Sequence, residues 1–83
     1  MLKVSVISPE RTLFDGEVES LTAPAFDGEV GVLTSHAPMM TLLGKGTLRL
    51  GPEGSNGKFA VEGGFMQVIE NQVRVVTEKA TPI

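Results

Sequence analysis

The chain of 83 residues contains no cysteine, no tryptophan and no tyrosine, and its single histidine is His36. Without cysteine, neither a disulfide nor a thiolate metal site can reinforce the domain. All four aromatic residues are phenylalanine, which argues against a platform for stacking nucleic-acid bases. Because a domain of this size has a thin core, we expect its stability to come from close packing, alone or with a partner.

Charge and hydropathy exclude further classes of protein. The net charge of −3 gives no electrostatic basis for binding nucleic acid or an anionic membrane surface. No apolar run approaches the roughly 20 residues of a membrane-spanning helix, and the N-terminal segment lacks the features of a signal peptide. These features predict a soluble, cytoplasmic protein.

Apolar and polar residues alternate in several short segments, which is typical of half-buried strands. Asn71 suits a tight turn between strands at 64–69 and 72–78, and Gly51–Gly57 suits the loop between strands at 46–50 and 58–62. Leu21 breaks the alternation, which predicts a bulge or sharp twist near Glu19 and Ser20.

No segment has the apolar stripe of a helix, and glycine and proline recur about every 8–12 residues. The sequence therefore predicts an all-β fold, a small antiparallel β-sandwich (flattened barrel) of two packed sheets. We expect the domain to span residues 1–80 and to be followed by a short tail at residues 81–83.

Catalytic and metal-binding interpretations find little support. The segment "GPEGSNGKF" fails the spacing of a phosphate-binding loop. Ser35 and His36 are adjacent, so in extended chain their side chains point to opposite faces and cannot pair as nucleophile and base. A metal site of His36 with Asp27 or Glu29 has no supporting ligand spacing. The acids at 15, 17 and 19 are explained as the solvated face of one strand.

The segment "HAPMMTLLGKG" alternates less than the other strands. Either both of its faces are buried, or some of its large apolar residues (Met39, Met40, Leu42 and Leu43) form an exposed patch. Methionine-rich exposed patches mark protein interfaces more often than ligand pockets. We favour the interface.

Several of these motifs together resemble a known family. The segment "DGEVGVL" leads to "HAP" and two large apolar residues, and "EGGF" opens a final hairpin. In this order and spacing, from about Leu2 to Ala80, they resemble the N-terminal β-sandwich domain of the epsilon subunit of rotary F-type ATP synthase. The family usually has Pro-Gly before His-Ala-Pro, whereas this chain has Thr34-Ser35.

The resemblance implies a non-catalytic rotor subunit of a proton- or sodium-translocating synthase, without cofactor or metal. Such a sandwich packs on the gamma subunit, stands on the c-ring and helps transmit torque, at the cytoplasmic face of the bacterial inner membrane. By the family match, the expected c-ring contacts are Asp27, Gly28 and Glu29, and the expected gamma contacts are Ser8, His36, Met40 and Thr41.

Family members commonly continue into two C-terminal helices that inhibit ATP hydrolysis and in some species bind ATP. This chain ends "TEKATPI", and Pro82 disfavours a helical conformation at Thr81. We therefore expect it to lack the inhibitory arm and its ATP site.

Two other classes remain as alternatives. A stand-alone sandwich that binds a small ligand or carbohydrate would normally use Trp or Tyr for stacking, and both are absent. A small hydrolase that uses His36 would lose turnover in His36→Ala.

Overall fold

A computed structural model describes all residues from Met1 to Ile83, and it confirms the predicted β-sandwich. The strands, numbered in chain order, are β1 (Leu2–Ile7), β2 (Thr12–Val18), β3 (Ser20–Ala25), β4 (Gly28–Leu33), β5 (Met39–Leu42), β6 (Lys45–Leu50), β7 (Gly57–Glu62), β8 (Phe65–Ile69), β9 (Gln72–Val76) and β10 (Lys79–Pro82). No helix is long and apolar enough to cross a bilayer.

The strands form two sheets of five. Sheet A has the order β2-β1-β9-β8-β5, and sheet B has the order β10-β7-β6-β3-β4. All neighbours pair antiparallel except β1 and β9, which are parallel. Both predicted hairpins are present, β6–β7 around a single 3-10 turn at Pro52–Gly54, and β8–β9 around Glu70 and Asn71. The strand β10 extends past residue 80, where we expected the domain to end, and Pro82 pairs with Phe59.

The core lies between the sheets and is built from the inward positions of the alternating strands. Sixteen buried apolar residues form one cluster, to which sheet A contributes Leu2, Val4 and Val6 of β1 among others. No buried side-chain nitrogen or oxygen lacks a hydrogen-bond partner, so the polar groups inside the sandwich carry no desolvation penalty for a missing partner.

The irregularity predicted near Glu19 and Ser20 is a sharp bend at Glu19 and not a bulge, because the chain leaves sheet A after Val18 and enters sheet B at Ser20. Val18 and Leu21 both point into the core, one from each sheet, and this change of sheet breaks the alternation. A register irregularity does occur, between Val6 and Ile7 against β2.

The "EGGF" motif forms another change of sheet, from sheet B to sheet A. The chain passes from β7 to β8 through Gly63 and Gly64, which both have positive φ (72° and 98°). A Cβ on Gly64 would overlap the carbonyl oxygen of Val76 and lie 2.7 Å from Cα of Thr77. Only glycine allows the two chain segments to approach this closely.

Thr77 joins the same crossing from the other side, where the chain returns from β9 to β10. Its side chain is buried, with 1% of its surface exposed. The Thr77 hydroxyl donates to the carbonyl oxygens of Lys79 (3.0 Å) and Glu62 (3.4 Å), and its backbone N–H donates to Ile7. The crossing therefore ties both sheets together at one end of the sandwich.

The turn at Thr34-Ser35 keeps the geometry that Pro-Gly would favour. The N–H of His36 donates to the carbonyl of Leu33 (3.1 Å), and Ser35, the third residue of this turn, has φ 67°. A negative φ followed by a positive φ is the type II pattern, which prefers proline and then glycine. The N–H of Ser35 also donates to Oδ1 of Asn71 at 2.5 Å, so the turn is tied to the β8–β9 hairpin.

We expect Ser35→Gly to raise the free energy of unfolding by about 0.5–1 kcal/mol. A non-glycine residue in the left-handed region costs about 1–2 kcal/mol, and the greater freedom of glycine in the unfolded chain offsets part of this gain. Chemical denaturation of both proteins measures the difference. A loss of stability would show that the Ser35 side chain contributes more than its backbone costs.

Candidate interaction surfaces

The outward face of sheet A, here called the A face, is divided into an apolar row and a polar area. Because alternate residues of β1, β8 and β9 fill the core, the residues between them point outward. Together with the edge strand β5, these strands place four outward residues in one line: Ile7 pairs with Val76, Val76 with Phe65, and Phe65 with Leu42. We call Ile7, Val76, Phe65 and Leu42 the apolar row.

The exposed end of the apolar row lies on β5, one of the two edge strands of sheet A. Leu42 is 62% exposed, and Met40, next to it on the same face, is 63% exposed. Met39 is half-buried and Leu43 is buried. The second interpretation of "MMTLL", an exposed patch, is therefore the one that the fold adopts.

The acidic turn of "FDGE" adjoins the apolar row. The N–H of Phe26 donates to the carbonyl of Leu42 at 3.0 Å, and the Phe26 side chain is 68% exposed. Asp27, Gly28 and Glu29 are all exposed, and Gly28 has φ 136°. Three of the predicted site residues thus stand together at the end of the sandwich where the apolar row also lies.

Glu29 is already paired within the chain. Nη1 of Arg49 lies 2.8 Å from Oε2 of Glu29, and the two side chains are 38% and 60% exposed. An exposed pair of this kind is worth about 0–1 kcal/mol. Glu29 can therefore exchange Arg49 for another cation at little cost.

The four residues predicted to contact gamma do not form one cluster, although all belong to the margins of sheet A. Met40 points out from the A face, whereas Thr41 pairs with the buried Met66 and points between the sheets. His36 precedes β5 at the end opposite the acidic turn. Ser8 follows β1, which lies three strand positions from β5, about 14 Å at the usual strand spacing.

Ser8 and His36 both make local contacts. The Ser8 hydroxyl donates to the carbonyl of Arg11 (3.1 Å) and accepts from its N–H (3.3 Å), which closes the β1–β2 turn. Nδ1 of the half-buried His36 lies 2.7 Å from the carbonyl oxygen of Ala37. These contacts account for both residues without any chemistry.

The residues considered for a metal or a catalytic site do not meet. Asp27 and Glu29 lie at the start of β4 and His36 lies beyond its end, so most of a six-residue strand, about 17–20 Å, separates them. No group of three His, Asp or Glu side chains is close enough to share a metal ion.

Three surface depressions are present, with volumes of about 340, 280 and 280 Å³, and each has only two hydrophobic lining residues. Small-molecule sites are typically enclosed and mainly apolar. The largest depression lies on the polar area of the A face. It is lined by Lys3, Ser5, Gln67, Ile69, Gln72, Val73 and Arg74, and we call it the Arg74 depression.

Sequence reasoning missed most of the apolar row, because its members are far apart in the chain. A signal for them exists. Ile7, Phe65 and Val76 occupy outward positions where alternation predicts polar residues, and each stands beside an inward apolar residue: Val6, Met66 and Val75. Such paired apolar residues at the ends of strands mark positions where the outer face of a sheet is also apolar.

Comparison with known proteins gives a consistent family. The family model described as "ATP synthase, Delta/Epsilon chain, beta-sandwich domain" matches residues 1–83. The ATP synthase epsilon chain of Synechococcus sp. (strain JA-2-3B'a(2-13)) is 42% identical over 79 residues, covering 95% of this chain and 58% of that protein. The epsilon chain of Leptospira borgpetersenii is 44% identical over 77 residues, covering 93% and 61%. The chain thus spans about three fifths of the length of these relatives.

Solved structures agree. A chain of the Euglena gracilis mitochondrial ATP synthase, in a structure of its OSCP, F1 and c-ring, superposes with a TM-score of 0.87 at 26% identity, covering 98% of this chain and 52% of that one. A chain from the central stalk and c-ring of the Tetrahymena thermophila enzyme has a TM-score of 0.79 at 18% identity, covering 96% and 65%. The latter likeness supports the fold alone.

Proposed function

This chain belongs to the delta/epsilon β-sandwich family of ATP synthase, and on that premise we propose that it is a non-catalytic central-stalk module that links the gamma subunit to the c-ring. The observation that carries the proposal is the corner at Phe26 and Leu42, where the apolar row of the A face meets the exposed acidic turn. One end of a stiff sandwich then serves two adjoining interfaces.

The apolar row supports the gamma interface. Its four side chains, with Met40 beside them, give the A face a continuous apolar strip that ends in two residues more than 60% exposed. Burying apolar surface stabilises a complex by about 25 cal/mol per Å² before the costs of association. We propose that gamma covers the A face, with Met40 in the contact and with Ser8, His36 and Thr41 at its margins.

The acidic turn supports the c-ring interface. Asp27, Gly28 and Glu29 project at the end of the sandwich, and Gly28, with no atom within 4 Å of where its Cβ would be, leaves room for a close backbone approach. Exposed ion pairs here are individually weak. Ring contact should therefore depend on several small polar contacts and should be more salt-sensitive than gamma binding.

The mechanism that follows is mechanical coupling. The two sheets share one apolar core and are tied at the Gly64–Thr77 crossing, so a torque applied at the acidic turn reaches the A face without repacking the domain. In this account the module works in a proton- or sodium-translocating synthase, at the cytoplasmic face of a bacterial inner membrane. It supports coupling of rotation to ATP synthesis and has no catalytic residue or cofactor of its own.

Association with purified gamma and c-ring tests the proposal. We expect the folded domain to co-elute with gamma in size-exclusion chromatography, and with the c-ring when gamma is present. A folded domain that binds neither would overturn the proposal.

We expect Glu29→Gln to weaken binding to the c-ring–gamma complex up to about fivefold at low salt, because one exposed ion pair is worth at most about 1 kcal/mol. The difference should vanish near 1 M salt, where charges are screened within about 3 Å. Titrations at both salt concentrations measure this. The matched control is Glu19→Gln, at the opposite end of the sandwich, which should bind like the wild type; equal losses in both variants would refute a specific role for Glu29.

A further inference from the structure

Arg74 is a cation in the middle of a surface that the proposed function buries. It lies on β9, the central strand of sheet A, and points outward from the A face. Its direct neighbours on the adjacent strands are Gln67 on β8 and Ser5 on β1. Neither of these neighbours carries a charge. The one ion pair in the chain joins Arg49 and Glu29, so no carboxylate oxygen lies within 4 Å of the Arg74 guanidinium.

The Arg74 depression is lined by hydrogen-bond donors and by no acidic side chain. Its volume is about 340 Å³, and its lining includes Lys3, Ser5, Gln67 and Gln72 but no Asp or Glu. The nearest acids of the A face are on the edge strand β2, where Glu17 pairs with Lys3 and Asp15 pairs with Ser5. The positive charge of Lys3 can therefore be compensated within the chain by Glu17. Arg74, one strand further in, has no such neighbour.

Covering Arg74 without a partner charge would be costly. A guanidinium that is removed from water and left unpaired costs several kcal/mol, whereas a bidentate carboxylate offsets that cost and fixes the orientation of the two surfaces. The apolar row lies one row of residues away on the same strands: Val76 follows Arg74 by two positions on β9, and Phe65 precedes Gln67 by two on β8. A partner seated on the apolar row thus reaches the depression.

We propose that the Arg74 depression receives a carboxylate from the subunit that covers the A face, so that an acidic side chain of gamma pairs with Arg74. This inference rests on the proposed function, and it names the chemistry that the partner surface must carry. The apolar row supplies most of the binding energy, and the Arg74 pair fixes the register of the two surfaces, because an Asp or Glu displaced by one position leaves two buried charges unpaired.

The test compares binding of gamma to the wild type, Arg74→Gln and Arg74→Glu. Loss of one member of a buried charge pair weakens binding about 30-fold or more, and we expect at least this loss for Arg74→Gln and a larger one for Arg74→Glu. The matched control is Lys58→Gln, an exposed cation on β7 of sheet B, which should leave the affinity unchanged. Thermal denaturation of each variant checks that all are folded.

A charge exchange identifies the partner acid. Among Asp→Arg and Glu→Arg substitutions on the gamma surface, we expect one to weaken binding to the wild type and to restore binding to Arg74→Glu. If Arg74→Gln binds gamma as tightly as the wild type does, the inference is overturned while the proposed function stands. If the wild type does not bind gamma at all, the proposed function fails first.

Discussion

The variant Gly64→Ala is expected to lose about 2–6 kcal/mol of folding free energy. Gly64 has φ 98°, a conformation that costs an alanine about 1–3 kcal/mol. The added methyl group would also overlap the carbonyl oxygen of Val76 and lie 2.7 Å from Cα of Thr77, and overpacking of this kind costs about 1–3 kcal/mol more. A domain of this size has a total stability of about 4–12 kcal/mol, so the loss would remove much of it.

Alanine substitutions at two other glycines are expected to cost less folding free energy than Gly64→Ala. Gly63 has φ 72°, but the atoms nearest to its added Cβ belong to the flexible Glu78 carboxylate, at 3.1 Å, so Gly63→Ala should cost about 1–3 kcal/mol, mainly from backbone strain. A Cβ added at Gly31, in the exposed part of β4, would meet no atom within 4 Å, so Gly31→Ala should be neutral or slightly stabilising. Thermal and urea unfolding of the three variants measure the order. Equal stabilities for Gly64→Ala and Gly31→Ala would show that the crossing is not the tight point of the fold.

The double variant Met40→Glu, Leu42→Glu is expected to weaken binding to gamma by at least 100-fold. Burying a Met or Leu side chain is worth about 1.5–3 kcal/mol, and each 1.4 kcal/mol is a factor of ten in affinity. Each Glu also brings a charge into an apolar contact, where it must be desolvated. Because both side chains are more than 60% exposed in the free domain, the fold itself should tolerate the change.

The matched control is Leu33→Glu. Leu33 is 66% exposed, as exposed as Leu42, but it lies on β4 of sheet B, away from the A face. The substitution Leu33→Glu adds the same type of charge as the substitutions at Met40 and Leu42, and it removes the same type of apolar surface. Isothermal titration of gamma with each variant gives the affinities. If Leu33→Glu weakens binding as much as the double variant Met40→Glu, Leu42→Glu does, the effect is not specific to the A face.

The fold could largely be predicted from the sequence, because alternation is a local signal. Strands such as β1 and β9 place apolar side chains on one face at every second position, and turns such as Glu70-Asn71 carry residues that tolerate positive φ. What alternation could not give is which strands share a sheet. The change of sheet at Glu19 therefore looked like a bulge, and the parallel pairing of β1 with β9 had no local signal at all.

The candidate site, like the fold, could be predicted from the sequence only where its residues are close together in the chain. The acidic turn is continuous in sequence, and it was found as one segment. The apolar row and the surroundings of Arg74 exist only after β1, β9, β8 and β5 lie side by side. The ion pair between Glu29 and Arg49 was missed for the same reason, since twenty residues separate its members.

Cross-linking from single cysteines locates both proposed interfaces in one experiment, because the chain has no cysteine of its own and each introduced thiol is the only one in the chain. Met40→Cys, Asp27→Cys and Leu33→Cys place a thiol on the A face, on the acidic turn and on sheet B. With a short photoactivatable maleimide in the assembled complex, we predict that position 40 cross-links to gamma, that position 27 cross-links to the c-ring, and that position 33 cross-links to neither. Cross-links to gamma from position 33 but not from position 40 would show that gamma covers sheet B and not the A face.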